Sequence, residues 1–432
     1  MLKDKTFTIE KQISQTCDYH LDKTMNETNF IIRGSKYLHE DELEAHLASL
    51  IRLENVGVFL GAGASRCAGG QTMEEVWKAF CKEFPLNHQW LVRQNFVNSE
   101  DANINIEKLL DDIEIAEREW KRQNLEEKLD VLSIQKACIY RSIIKAAILE
   151  PQWWQEPHLV TLENEKLKSH RMLLQALCGS RQVGQPSPWI FTTNYDLAVE
   201  WSAETLGLKV INGFDGLHNR LFSPHVFDLG YSNLSAKGEA RFGTYGIFLA
   251  KLHGSLAWKM VDDEYTEYPA STLWREIKPF LDNNEKIELP IVFPSAAKYF
   301  QTVGFVVGEL LRKFTEFLSR SQTTLIISGY SFSDAHLNLI IRRALLNPTL
   351  QIVVFLPEVD FNNLEKINSN TIKSLIKISS PQVTIVGGGE HAYFKKLVEY
   401  LPPPVIYDEH ALKIKKLIKE DREMFHAKDV NI

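Results

Sequence analysis

Five short apolar runs in this 432-residue chain each stop abruptly at small or polar residues, and that recurrence limits the fold more than any other feature. Asn55-Val-Gly-Val-Phe-Leu60 runs into Gly61-Ala-Gly-Ala-Ser65, and Pro188-Trp-Ile-Phe191 into Thr192-Thr-Asn-Tyr-Asp196. Tyr245 to Leu252 runs into His253-Gly-Ser255, Thr324 to Gly329 into Ser331-Phe-Ser-Asp334, and Gln382 to Val386 into Gly387-Gly-Gly389. Short continuous apolar runs suit strands buried on both faces, and helical patterns follow them at Leu197 to Leu206, Ala335 to Leu346 and His391 to Leu401. Gln351 to Leu356 and Asn363 to Ile378 add another strand and another helix. This alternation predicts an α/β fold with a doubly wound, mostly parallel Rossmann-like sheet.

Other segments interrupt the alternation. A helix over Asp41 to Leu53 leads into the first strand. Met73 to Phe84 places Val76, Trp77, Phe80 and Phe84 at helical spacing, with Pro85 where a helix should stop. Ile104 to Leu129 and Val131 to Leu149 carry apolar residues three and four apart, so a helical subdomain inserted at about 71–185 is expected. Gly213 to Thr244 is rich in Gly, Asn, Ser and Pro and reads as a long loop able to act as a lid. The expected organisation is an N-terminal segment 1–40, a nucleotide-binding domain 41–401, and a tail 402–432. The tail carries a Lys-rich amphipathic helix, Ala411 to Phe425, which reads either as a docking element or as a solvated helix.

Composition excludes several classes. With 44% hydrophobic and 24% charged residues and a formal charge of −7, the chain is of ordinary soluble globular type. Its 49 Lys and Arg are outnumbered by 56 Asp and Glu, so nucleic-acid binding is not favoured. No stretch has the length of a membrane span or the character of a signal peptide, which points to the cytoplasm. Cys17, Cys67, Cys81, Cys138 and Cys178 form no Cys-x-x-Cys pair, so neither a zinc ribbon nor a disulfide framework is expected. Cys67, just after the glycine turn, reads as a packing residue, with thiol activation by a helix N-terminus as the alternative.

In an open α/β sheet ligands sit outside the carboxyl ends of the strands, which is where the polar residues of this chain collect. The Gly61 to Ser65 turn reads as a nucleotide-binding turn in which glycine lets the backbone approach a phosphate closely. Each residue alone has a plainer reading. Asn194 and Asp196 could cap the following helix, His253 could be a satisfied histidine beside a turn, and Ser331 and Asp334 could be ordinary N-caps. Five such strand ends on one edge favour a shared site.

Gly61-Ala-Gly-Ala-Ser65, Thr192-Thr-Asn-Tyr-Asp196, Lys251-Leu-His-Gly-Ser255 and Ser328-Gly-Tyr-Ser-Phe-Ser-Asp334 stand in the order in which sirtuin-like NAD-binding domains carry their motifs. The chain resembles that family over roughly Asn55 to Leu401. With its helical insertion it resembles the bacterial sirtuin-like NAD hydrolases of antiphage defence. The resemblance implies that Gly61, Ala62, Gly63 and Ser65 hold the NAD phosphates, that Gly329 and Ser331 face them, and that Gly388 lies near the adenosine. Asn194 and Asp196 match the pair at the nicotinamide-ribose end, Thr193 falls among the NAD-binding residues, and His253 matches the general base. No Cys follows His253, so the four-cysteine zinc module of protein deacylases is missing and no metal is expected. The strand Gln351 to Leu356 also lacks the Asn that sirtuins place there for the adenine ribose.

Cleavage of the nicotinamide bond builds positive charge on the ribose, so the site needs a positioned nucleophile and a base. Asn194 suits the first task and His253 the second, while Asp196 could stabilise the cation or orient Asn194. Without a peptide module, water is the expected acceptor, giving nicotinamide and ADP-ribose. The alternatives are a non-catalytic NAD or ADP-ribose sensor and, further off, a protein deacylase or a nuclease. The resemblance also implies a homo-oligomer and a partner such as a HerA-type ATPase.

Overall fold

The computed structural model describes residues 30–98, 104, 106–182, 184–232, 234–235, 245–262, 264–282 and 303–403. Its strands in chain order are β1 (Ile31–Arg33), β2 (Lys36–Tyr37), β3 (Asn55–Leu60), β4 (Trp189–Thr192), β5 (Lys209–Ile211), β6 (Phe214–Asp215) and β7 (Arg220–Phe222). They continue with β8 (Gly246–Lys251), β9 (Trp258–Val261), β10 (Glu264–Glu267), β11 (Thr323–Ser328), β12 (Gln351–Phe355) and β13 (Val383–Val386). One sheet has the order β2-β1-β13-β12-β11-β3-β4-β8-β5, parallel from β13 to β5, with β1 and β2 added antiparallel at one edge. This is the doubly wound, Rossmann-like α/β architecture that the alternation implied. β3 pairs with β4 on one side and β11 on the other, so the topological switch point lies between β3 and β11.

Alternate side chains of each strand enter different cores, as pleating requires. Phe59, Phe191, Leu325, Ile327, Ile352 and Val354 pack on one face with the helices Met73–Glu83, Glu126–Ala147 and Val303–Ser319. Val58, Leu60, Ile190, Ile326, Val353 and Phe355 pack on the other with Glu40–Leu50, Lys168–Gly179, Ala198–Leu206 and Phe394–Tyr400. Coverage of both faces explains why the strands read as continuous apolar runs.

Six α-helices among the described residues, from Met73–Glu83 to Lys168–Gly179, lie between β3 and β4. The first is set by a capping box: Thr72 Oγ1 accepts from the Glu75 amide at 3.3 Å, and the Glu75 carboxylate accepts from the Thr72 amide at 2.8 Å. Ile106–Arg122 and Glu126–Ala147 are broken earlier than the apolar spacing suggested, because Asn124 turns left-handed at φ 56°.

Other elements depart from the sequence reading. The expected loop Gly213 to Thr244 contains β6, β7 and a 3₁₀ turn, Pro224–Asp228, since buried Phe214 and Phe227 anchor it. β6 and β7 belong to a second, antiparallel sheet of order β6-β7-β10-β9. Asn212 Nδ2 donates to Glu267 at 2.7 Å and Arg220 pairs with the same carboxylate, tying that sheet to the end of β5. The helix expected over Asn363 to Ile378 begins only at Asn370, where Ser369 caps it, and that expected from His391 begins at Phe394 after a 3₁₀ turn. Cys17, most of Met1 to His39, residues 236–244 and the segment Ala411 to Phe425 lie outside the described residues. No helix among the described residues is long and apolar enough to cross a membrane.

Candidate active site

The turns after β3 and β11 meet at the switch point. The Gly61 amide donates to Ser328 O at 3.0 Å and the Gly63 amide to Gly329 O at 2.9 Å. A Cβ on Gly61 would lie 2.4 Å from Gly329 O, and one on Gly329, whose φ is +69°, would lie 2.2 Å from the Ala64 nitrogen. Glycine at these positions lets the two turns approach each other closely.

Beside them the polypeptide after β4 builds a buried polar chain. Asn194 Nδ2 donates to Gly61 O at 2.9 Å and to Ser65 Oγ at 2.8 Å. Ser65 in turn donates to Asp196 Oδ2 at 2.6 Å. Because Gly61 O can only accept, the amide orientation of Asn194 is settled: both N–H groups are engaged and Oδ1 is the acceptor it can offer a ligand. Asp196 Oδ1 accepts from the amide of Ala198, the first residue of the helix Ala198–Leu206, at 3.0 Å, while Oδ2 holds Ser65. Asp196 therefore orients Asn194 through Ser65, and Ser65 is a bridge between the two. The Thr193 amide donates to Leu60 O at 3.2 Å, keeping this strand end on β3.

Beneath this chain lie Lys251, Glu200 and His170, to which the sequence reading gave no role. Lys251 Nζ, buried at the end of β8, lies 2.9 Å from Glu200 and also donates to Asp196 O. Burial pushes the Glu200 carboxyl up despite the opposing pull of Lys251. His170 lies 3.8 Å from Cys67 Sγ; burial, opposed by Asp196, pushes its pKa down to about 4. Burial pushes the Cys67 thiol up to about 11, so it is protonated and packs as a small hydrophobe. Lys251 stands inside a recognised motif, but its inward direction depends on tertiary packing.

The second group forms where the turns after β8 and β11 meet. His253 Nε2 lies 3.1 Å from Asp334 Oδ2, with side-chain exposures of 17% and 18%. Asp334 Oδ1 accepts from the amides of His336 at 2.7 Å and Leu337 at 3.1 Å, capping the helix Ala335–Ala344. The turn before it passes through Phe332 at φ 57°, a left-handed conformation held by Asn338 Nδ2 donating to Phe332 O at 2.8 Å and by packing on Tyr330. Ser331 is exposed and donates to Ser333 at 3.1 Å.

The structure thus joins Gly61, Gly63, Ser65, Asn194, Asp196 and Gly329 around the switch point. Ala62 follows Gly61 in the same turn. Gly388 stands apart, two strands beyond β11, with its amide donating to Val359 O at 2.9 Å and its neighbours bonded to Phe30 O and Pro357 O. Among the described residues no three His, Cys, Asp or Glu side chains gather into a metal-binding group.

Residues 188–375 match the family model of the SIR2-like domain. The matched stretch holds the turns bearing Asn194, Asp196, His253 and Asp334, and it supports the sirtuin-like resemblance. Gly61 to Ser65 precede it in sequence but are hydrogen-bonded into it at Asn194. A comparison with curated proteins gives no match.

Proposed function

We propose that this chain is an NAD glycohydrolase that transfers the ADP-ribosyl group of NAD to water. The observation that carries this reading is the buried Asp196–Ser65–Asn194 chain, which presents one acceptor, Asn194 Oδ1, beside the switch point. The SIR2-like match adds NAD-dependent enzymatic chemistry in general. In the proposed reaction the bond between ribose C1′ and nicotinamide breaks and its electron pair leaves with neutral nicotinamide. The oxygen of a water bonds to C1′, and His253 takes a proton from that water and passes it to solvent. Asn194 Oδ1 accepts from the water or a ribose hydroxyl, so its contribution is placement.

The test is nicotinamide release from NAD by the pure full-length chain. Wild type should turn over, and Asn194→Ala and His253→Ala should each lose roughly 10²-fold or more. Tight NAD binding without turnover, unchanged by His253→Ala, would instead identify a sensor. Unregulated hydrolysis would exhaust cellular NAD, so the proposed setting is antiphage defence, with activity held by homo-oligomerisation or by a partner such as a HerA-type ATPase.

A further inference from the structure

We propose that Lys251 is a positioning residue for Asn194, its buried ammonium locking the turn after β4 to the turn after β8 so that Asn194 and His253 are set as one unit. This rests on the reading of Asn194 and His253 as the groups that act on NAD. Lys251 ends β8 opposite Thr192 of β4, and the pleat puts its side chain on the same face as Ile247 and Leu249, the face covered by the helix Ala198–Leu206. Both of those neighbours are buried and apolar, so packing alone would favour an apolar residue at position 251 as well. A buried ammonium is costly unless it is paired and hydrogen-bonded. Lys251 Nζ lies 2.9 Å from Glu200 Oε1 and donates to Asp196 O, while Glu200 Oε2 is buried with no hydrogen-bond partner among the described residues. A pair left incomplete in this way is a weak source of stability, and what it achieves is to fix one carbonyl.

That carbonyl belongs to the residue on which Asn194 depends. Asp196 Oδ2 accepts from Ser65, and Ser65 accepts from Asn194 Nδ2, so holding the Asp196 backbone sets the start of the chain that ends at Asn194. Two backbone bonds join the same turns: the Leu252 amide donates to Thr192 O at 2.8 Å and the Leu256 amide to Tyr195 O at 2.9 Å. The carbonyls of Thr192, Tyr195 and Asp196 are thus all held from residues 251–256, the segment that carries His253. Lys251 supplies the side-chain member of this set, and its bond lies nearest the helix that follows Asp196.

The double variant Lys251→Met/Glu200→Leu in the full-length chain separates positioning from stability. It removes the bond to Asp196 O and leaves neither member of the ion pair behind, so it should unfold near the wild-type urea midpoint. Its kcat for nicotinamide release should nevertheless fall about 10- to 100-fold, with KM for NAD changing less than kcat. Hydrogen exchange of the Ala198 and Leu256 amides, which donate to Asp196 Oδ1 and Tyr195 O, should quicken about tenfold, while that of Phe59 inside β3 keeps its wild-type rate. Glu200→Gln leaves the bond to Asp196 O in place and should lose less kcat than Lys251→Met. If the apolar pair does not fold, Lys251→Met/Glu200→Gln takes its place with the same expectations. Wild-type kcat in a double variant of wild-type stability, or unchanged exchange at Ala198 and Leu256, would overturn the proposal. If wild type releases no nicotinamide, the hydrolase reading fails, and the exchange rates alone decide whether Lys251 locks the two turns.

Discussion

Asn194 and Ser65, 129 residues apart in the chain, share a buried hydrogen bond of 2.8 Å that fixes which atom Asn194 can offer a substrate. Ser65→Ala leaves an Asn194 N–H without its acceptor and Asp196 Oδ2 without its Ser65 donor. A stability loss of about 1–3 kcal/mol is expected for the unsatisfied buried groups. Held then by Gly61 O alone, Asn194 is less tightly placed and kcat should also fall roughly 10- to 100-fold, since small misplacements are costly. Urea unfolding and steady-state nicotinamide release check the two effects; a variant indistinguishable from wild type in both would show that the bridge has no consequence.

Gly329→Ala puts a methyl carbon 2.2 Å from the Ala64 nitrogen at a residue already left-handed, so the two switch-point turns must separate. Overpacking and backbone strain together should cost about 2–5 kcal/mol. Thermal unfolding would register this as a clear fall in Tm, whereas Gly389→Ala, with open space around the added carbon despite its positive φ, should cost less.

The turns could be read from the sequence because each recurs as a strand end with small or polar residues, and the sheet followed from continuous apolar runs such as Val56 to Leu60. The direction of a side chain could not. Asp334 was legible as an N-cap and is one, yet its second oxygen reaches a histidine 81 residues earlier, and only the strand order brings the two together. Phe214 and Phe222 were hidden in a Gly- and Pro-rich stretch because β6 and β7 are too short to show a period of two.

Lys251 and Glu200 form a pair whose partners depend on each other. Lys251→Met alone strands the Glu200 carboxylate and removes a donor from Asp196 O, with an expected cost of about 3–5 kcal/mol. Adding Glu200→Leu should recover most of it, because a well-packed apolar pair often replaces a buried ion pair without loss. Unfolding free energies for the two single variants and the double variant form the required cycle; simple additivity would contradict it.

His170 should make the protein acid-sensitive. Its folded pKa, lowered to about 4 by burial, lies below the ordinary value of 6.5 given for histidine, so the unfolded chain binds a proton there that the folded chain refuses. The stabilisation is complete above about pH 6.5 and is lost as pH falls towards 4, amounting to about 3 kcal/mol at the limit. His46, lowered to about 4 mainly by burial and further by Arg33, acts in the same direction over the same range. In His170→Leu the slope of unfolding free energy between pH 6.5 and 4 should be shallower than in wild type; an unchanged slope would assign the acid sensitivity to other groups.

The central position of β3 has a consequence for how the protein is made. The partners of this strand follow it only much later in the chain, β4 at Trp189 and β11 at Thr323, so one edge of β3 must wait for the helices before β4 and the other for most of the described fold. Long-range pairing of this kind folds slowly and exposes unpaired strand edges. The nascent chain is thus expected to need shielding until β11 arrives, and catalytic competence to appear only in the last stage of folding.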